Sequence, residues 1–185
     1  MDKIYYSDID TSLGKVWSAI SGKGLVRLNI SCTEADFLSE LSHQISSEPE
    51  YRPGKLDDLS LWLDDYFDGK CMVYTEPFDL KGTSFQKRVW REIFKIPYGK
   101  LTSYGLIARD IGKPRAARAV GNAVGHNPVS IVIPCHRVVW NNGGIGGFGG
   151  GLEMKRFLLN LEGLLPQVEG EPEKGIDLSS FFYNQ

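Results

Sequence analysis

The sequence predicts an α+β protein in two parts. The N-terminal half is built on an antiparallel sheet, and the C-terminal half is mainly helical with a small strand element at one cysteine. Three observations predict it. The first thirty residues are short β-like stretches separated by turn residues, and residues 83–124 carry apolar side chains at helical spacing between Pro and Gly breaks. A glycine-dense segment then separates Cys135 from a last amphipathic stretch.

Taken in order, Lys3 to Ile9, Lys15 to Ile20 and Leu25 to Ile30 are the expected strands, with Ser21-Gly22-Lys23-Gly24 as a hairpin turn. Thr33 suits an N-cap, since Phe37, Leu38, Leu41 and Ile45 follow at helical spacing. Pro49, Pro53 and Gly54 interrupt the chain before a second helix carrying Leu56, Leu59, Leu63, Tyr66 and Phe67, which Gly69 stops. A short strand over Cys71 to Thr75 closes this half. Residues 1–75 hold no catalytic constellation, and His43 reads as structural or solvated. Pro77 and Gly82 punctuate the next segment, so the expected division is 1–78, 82–165 and a tail, 166–185.

In the second part, Phe85, Val89, Trp90, Ile93 and Phe94 form one helix face while Lys87, Arg88 and Arg91 point away. Pro97-Tyr98-Gly99 ends that helix. Thr102 or Ser103 caps a short one bearing Leu106, Ile107 and Ile111, and after Gly112-Lys113-Pro114 the next helix runs from Arg115 to Val124. Two short helices across such a turn read as a helix-turn-helix. The second helix is slim, with Ala116, Ala117, Ala119, Gly121 and Ala123, and has only Arg115 and Arg118 as charges. It suits close approach to a ligand or close packing on another helix. The last helix places Leu152, Met154, Phe157, Leu158 and Leu161 on an apolar face.

A hydrophobic content of 42% and a charged content of 24% are those of an ordinary globular protein. No apolar run reaches the roughly 20 residues that span a bilayer, so no membrane partner is expected. The start, Met1-Asp2-Lys3-Ile4, lacks a signal-peptide pattern, which predicts a cytosolic protein, or a nuclear one in a eukaryote. Cys32, Cys71 and Cys135 show no metal-ligand spacing with the three histidines, so no metal is expected, and Cys32 and Cys71, which could form a disulfide, read as two inert thiols in a reducing cytosol. The net charge of −2 hides a segregation: Lys81 to Arg118 contains ten Lys or Arg and two acids, Glu92 and Asp110. An anionic partner for that segment follows, against the ordinary reading of a solvated face.

The chemistry centres on Ile133-Pro134-Cys135-His136-Arg137-Val138-Val139. An imidazole beside a thiol can take its proton, directly or through one water, and the thiolate is the nucleophile. The β-branched run Ile131-Val132-Ile133 predicts a strand that ends at the cysteine, and Pro134 stiffens the approach. Seven of the nine residues from Gly143 to Gly151 are glycine, which lets backbone approach a planar ligand. Glu162 sits near a helix C-terminus, where a carboxylate opposes the dipole unless a partner compensates. His136 is the expected partner.

The string PCHRVV, followed by GGFGGG and Asn160-Leu161-Glu162-Gly163, resembles the active-site region of the O6-alkylguanine-DNA alkyltransferases. The resemblance covers residues 82–165 and implies a ribonuclease H-like first domain. It implies repair by direct reversal, a stoichiometric and irreversible transfer of the alkyl group from O6-alkylguanine, and from O4-alkylthymine, to Cys135. Cys135, His136, Glu162 and Tyr104 are then the catalytic set. Arg118, Tyr104, Arg115, Ala117 and Gly121 belong to a helix in the DNA minor groove, with Arg118 filling the place of the extruded base. Asn127, Pro134, Val138, Phe148, Gly149 and Gly150 line the pocket, although Phe148 replaces a usual tyrosine and Gly149 a usual serine or alanine. Asn127 would tie the helix-turn-helix to the cysteine through backbone hydrogen bonds.

The implied partner is double-stranded DNA carrying alkylated guanine, bound by a monomer. No cofactor is implied, because the lesion is the alkyl donor. Two alternatives stand beside this reading: a non-catalytic alkylated-base binding protein, against which Cys135 speaks, and a Cys-His hydrolase or acyltransferase, which leaves the basic segment and the arginine helix unexplained.

Overall fold

A computed structural model of the protein describes residues 3–70, 73–165 and 178–183. The chain divides into two compact units, Met1–Lys81 with Pro128–Ser130, and Gly82–Asn127 with Ile131–Gln185.

The first unit is a four-stranded sheet in the order β3-β2-β1-β4. β1 (Ile4–Thr11), β2 (Gly14–Ser21) and β3 (Gly24–Ile30) form an antiparallel meander. β4 (Glu50–Tyr51) adds parallel to β1 through Tyr5 and Tyr6, a pairing too short to show any alternation in the sequence. α1 (Glu34–Ser42) begins at Thr33, whose hydroxyl accepts from the Asp36 amide while the Asp36 carboxylate accepts from the Thr33 amide. Its Phe37 and Leu41 complete a core with Tyr6, Trp17, Ala19 and Val26. α2 (Asp57–Phe67) buries Leu59, Leu63 and Tyr66, and its last turn is closed by Gly69 at φ 77°.

The strand expected over Cys71 to Thr75 is not formed at Val73–Thr75, while Cys71 lies outside the described residues, so the Cys32–Cys71 question does too. The outer edge of β3 is met instead by two isolated bridges. The Leu25 amide donates to the Pro77 carbonyl at 2.9 Å, and the Leu28 amide to the Pro128 carbonyl at 2.8 Å. Proline supplies an acceptor at both points, the Asp79 and Ser130 amides return to the Leu25 and Leu28 carbonyls, and each pairing is a single bridge, which blunts the edge.

In the second unit, α3 (Ser84–Phe94) starts from a reciprocal cap between Thr83 and Gln86 and buries Val89, Trp90 and Ile93. Lys87, Arg88 and Arg91 are exposed, as the spacing predicts. Ser103 caps α4 (Tyr104–Asp110). α5 (Ala117–Gly125) starts two residues later than expected, since Ala116 closes a turn by donating to the Lys113 carbonyl. Close packing accounts for part of this helix. Val120 and Ala123 are buried, with the Trp90 indole donating to the Ala123 carbonyl at 2.8 Å, whereas Arg118 and Ala119 are exposed.

β5 (Thr102–Ser103) and β6 (Val138–Val139) form a small parallel pair. α6 (Leu152–Leu161) buries only part of the face predicted for it: Leu158 is buried and Met154 and Leu161 are half-buried, but Leu152 and Phe157 are exposed, and Lys155 and Leu159 are buried instead. Of the tail, residues 178–183 pack on this unit. Leu178 is buried in a cluster with Leu101, Val139, Leu159 and Leu164, and Phe181 and Phe182 cover it. The Leu101 amide donates to the Phe181 carbonyl and the Tyr183 amide to the Leu101 carbonyl.

Candidate active site

Ile131-Val132-Ile133 is not a strand. The run is a turn with Ile131 at φ 69°, a backbone position that costs a β-branched residue about 1–3 kcal/mol, and Cys135 opens a single 3-10 turn, Cys135–Arg137. Burial of all three apolar side chains stabilises the arrangement despite the strain. Asn127 also holds it, its side-chain amide donating to the Ile133 carbonyl at 2.8 Å. The same side chain hydrogen bonds the thiol.

Cys135 and His136 are buried, His136 completely. Glu162 caps the C-terminus of α6, where the dipole disfavours it, and three sets of donors hold it there. His136 Nε2 lies 2.7 Å from Glu162 Oε1. Arg137 reaches the same carboxylate with Nε, 2.9 Å from Oε2, and with a terminal nitrogen, 2.9 Å from Oε1. The Gly99 amide donates to Oε2 at 3.1 Å. Arg137 is fixed in turn by the Ile96 carbonyl at 2.6 Å and lies over the Tyr98 ring.

The electrostatics follow. Burial by itself would raise the Glu162 carboxyl, but the hydrogen bonds and charges of His136 and Arg137 outweigh it and hold the group at about 2. Burial pushes the His136 imidazole below its ordinary value, and Glu162 only partly opposes this. With Arg137 matching the carboxylate, an ionised Glu162 beside an uncharged His136 is the consistent state. Nε2 then carries the proton given to Glu162, and the basic lone pair is on Nδ1. Burial also raises the Cys135 thiol, so at neutral pH a base must take its proton as it reacts.

Tyr104, the first residue of α4, is buried, and its hydroxyl is pushed up by burial and by the neighbouring Cys135 charge. A Cβ on Gly121 would stand 3.7 Å from the Tyr104 ring, and one on Gly146 would stand 3.2 Å from its hydroxyl. Gly121 therefore faces Tyr104, and Gly146 brings the glycine loop up to it. Pro134 and Val138 flank the 3-10 turn, Phe148 is half-buried, and Gly149 and Gly150 are exposed. Arg115, at the turn, and Arg118 are exposed, and Ala117 is half-buried. The structure thus gathers Cys135, His136, Glu162, Asn127 and Tyr104, with Arg118 exposed on α5.

The first unit matches the ribonuclease-like domain of 6-O-methylguanine DNA methyltransferase over residues 4–80, and the second its DNA binding domain over residues 84–164. The methylated-DNA-protein-cysteine methyltransferase of Mycobacterium tuberculosis is 42% identical over 86% of this chain and 92% of its own. The chain belongs to the 6-O-methylguanine DNA methyltransferase family. The Haemophilus influenzae methylated-DNA-protein-cysteine methyltransferase is 38% identical over 88% of each chain. Among solved structures, Mycobacterium tuberculosis OGT in complex with DNA superposes with a TM-score of 0.72 at 40% identity, covering 85% of this chain and 92% of that one.

Three side chains of this methyltransferase fold escaped the sequence reading. Arg137 sits inside the quoted motif, but its partner is 25 residues away and nothing local marks it as buried. Lys155 looks like the polar side of α6. It is fully buried, donates to the Val138 carbonyl at 2.6 Å and the Gly147 carbonyl at 3.2 Å, and burial lowers its ammonium to about 8. Lys155 therefore staples the glycine loop to β6. Trp140, half-exposed, packs on Tyr104 with ring centroids 5.1 Å apart. Beside it, Asn141 accepts from the Gly105 amide at 2.9 Å. An exposed aromatic next to a glycine run was the only available signal.

Proposed function

We propose that this chain repairs DNA by taking the alkyl group of O6-alkylguanine, and of O4-alkylthymine, onto Cys135. The buried Cys135, His136 and Glu162, with Arg137 on the carboxylate, carry this reading. A lesion-binding role without chemistry needs no nucleophile and no buried base.

In the reaction, Cys135 Sγ attacks the alkyl carbon as the bond from that carbon to guanine O6 breaks. The thiol proton passes to His136 through a water, Tyr104 gives its proton to the departing guanine ring, and the His136 proton then returns to Tyr104 through solvent. The products are unmodified guanine and S-alkylcysteine, a thioether with no hydrolytic route comparable to a thioester. The protein is consumed in one turnover, and the alkylated base is the only co-substrate.

The target atom is inside the duplex, so the nucleotide must be flipped out, which costs least for a poorly paired base. α5 enters the minor groove, its small residues allow close approach, and Arg118 fills the vacated stack. Exposed Lys87, Arg91, Lys113 and Arg115 contact phosphates. A monomer in the reducing cytosol suits a free-thiol acceptor. The test is Cys135→Ala. We expect no alkyl transfer from a duplex carrying O6-methylguanine, with binding to that duplex kept within a few-fold, and transfer by the alanine variant would overturn the assignment.

A further inference from the structure

We propose that Arg137 is a positioning residue for the alkyl transfer: by matching the charge of Glu162 it keeps His136 an uncharged base whose acceptor lone pair is on Nδ1. The inference rests on the reading of Cys135 as acceptor and His136 as base.

The geometry carries it. A carboxylate with its side chain fully buried faces two possible cations, and the guanidinium takes both of its oxygens, with contacts at 2.9 Å to each. Arg137 cannot move to another register, because its third nitrogen is bonded to the Ile96 carbonyl. An arginine fork on a buried carboxylate is a preorganised, permanently charged partner. The imidazole needs then to give Glu162 only a neutral N–H, at 2.7 Å.

Without Arg137, Glu162 would be a buried anion with the titratable imidazole of His136 against it. A charge unmatched in a dry site is costly, and protonation of the imidazole would relieve it. An imidazolium cannot accept the Cys135 proton. Among the described residues, the charged groups that act on His136 include Glu162 and Lys155 from the α6 segment and Arg137 from its own turn, and the Cys135 thiol adjoins it in the chain. Lys155 opposes protonation of His136 and is held by two carbonyls, so it does not replace the guanidinium.

The test is the pH dependence of single-turnover methyl transfer from an O6-methylguanine duplex, for the full chain and three variants. In Arg137→Gln the acidic limb should move upward by about one pH unit or more, with the rate recovering at alkaline pH. Arg137→Lys, which keeps the charge, should leave the limb near that of the unaltered protein. Arg137→Gln combined with Glu162→Gln removes both charges and should bring the limb back down. An unmoved limb in Arg137→Gln, or a loss equal at every pH, would overturn the proposal. If Arg137→Gln does not fold, the double variant decides: a limb at higher pH than in the unaltered protein would contradict the charge-matching argument. Failure of the unaltered protein to transfer methyl at all would instead sink the underlying reading of the site.

Discussion

Replacing Glu162 with Gln keeps the shape of the side chain and removes its charge. The Glu162 carboxyl is held at about 2 against an ordinary 4.5. Each pKa unit corresponds to about 1.4 kcal/mol, so the ionised carboxylate contributes roughly 3 kcal/mol to the folded state at neutral pH. Stranding a buried Arg137 costs a comparable amount, about 3–5 kcal/mol. We therefore expect Glu162→Gln to lower stability by about 3 kcal/mol at pH 7.

The sign of the pH dependence is fixed. A depressed carboxyl gives its full stabilisation above its unfolded value of 4.5, and that stabilisation is lost as pH falls toward about 2. His136 acts in the same direction. Its imidazole is lowered by burial, so the unfolded chain takes up that proton first as pH falls, and removing Glu162 can only strengthen this effect. The difference between the two proteins should hold or widen down to the carboxylate range and close below it. Urea unfolding at about pH 7, 5 and 3 measures it. A difference under about 1 kcal/mol at pH 7, or one that closes between pH 7 and 5, would refute the account of the buried network.

Arg118→Ala removes an exposed side chain and leaves the thiol and its base untouched, so it should slow repair of duplex O6-methylguanine roughly tenfold, for about 1.4 kcal/mol of lost compensation. Transfer from free O6-benzylguanine, which needs no flipping, should stay near normal; equal losses in single-turnover rates would mean that Arg118 supports the pocket. Affinity for duplex DNA should fall steeply with salt, roughly 150-fold between about 50 and 200 mM if the four proposed phosphate contacts are each neutralised, and a flat titration would contradict the basic face. Gly24→Ala should destabilise the first unit by about 2–4 kcal/mol in thermal unfolding, because Gly24 is at φ 133° and a Cβ would lie 2.1 Å from the Pro77 carbonyl oxygen. Unchanged unfolding would show that the Pro77 segment yields.

Much of this molecule is legible in its sequence where the signal is local. Thr33 announces its helix by standing before apolar residues at helical spacing, and Cys135 and His136 are adjacent in the chain. Glu162 was identifiable because a carboxylate at a helix C-terminus needs a partner. What the sequence did not show depends on distant partners or on backbone geometry. The strained Ile131 looks like a strand residue, since its β-branched neighbours are buried whether the chain is extended or turned. Lys155 looks solvated because two backbone carbonyls, which carry no sequence identity, satisfy it. Arg137 is the sharpest case, since its role appears only when α6 delivers Glu162 to it.

The central claim is that Cys135 is the final resting place of the alkyl group. A duplex with one methyl-labelled O6-methylguanine, incubated with excess protein and then digested, tests it directly. The account predicts label on the peptide containing Cys135, no more than one equivalent per chain, and guanine restored in the DNA. Label on another residue, or release of label with continued turnover, would contradict it.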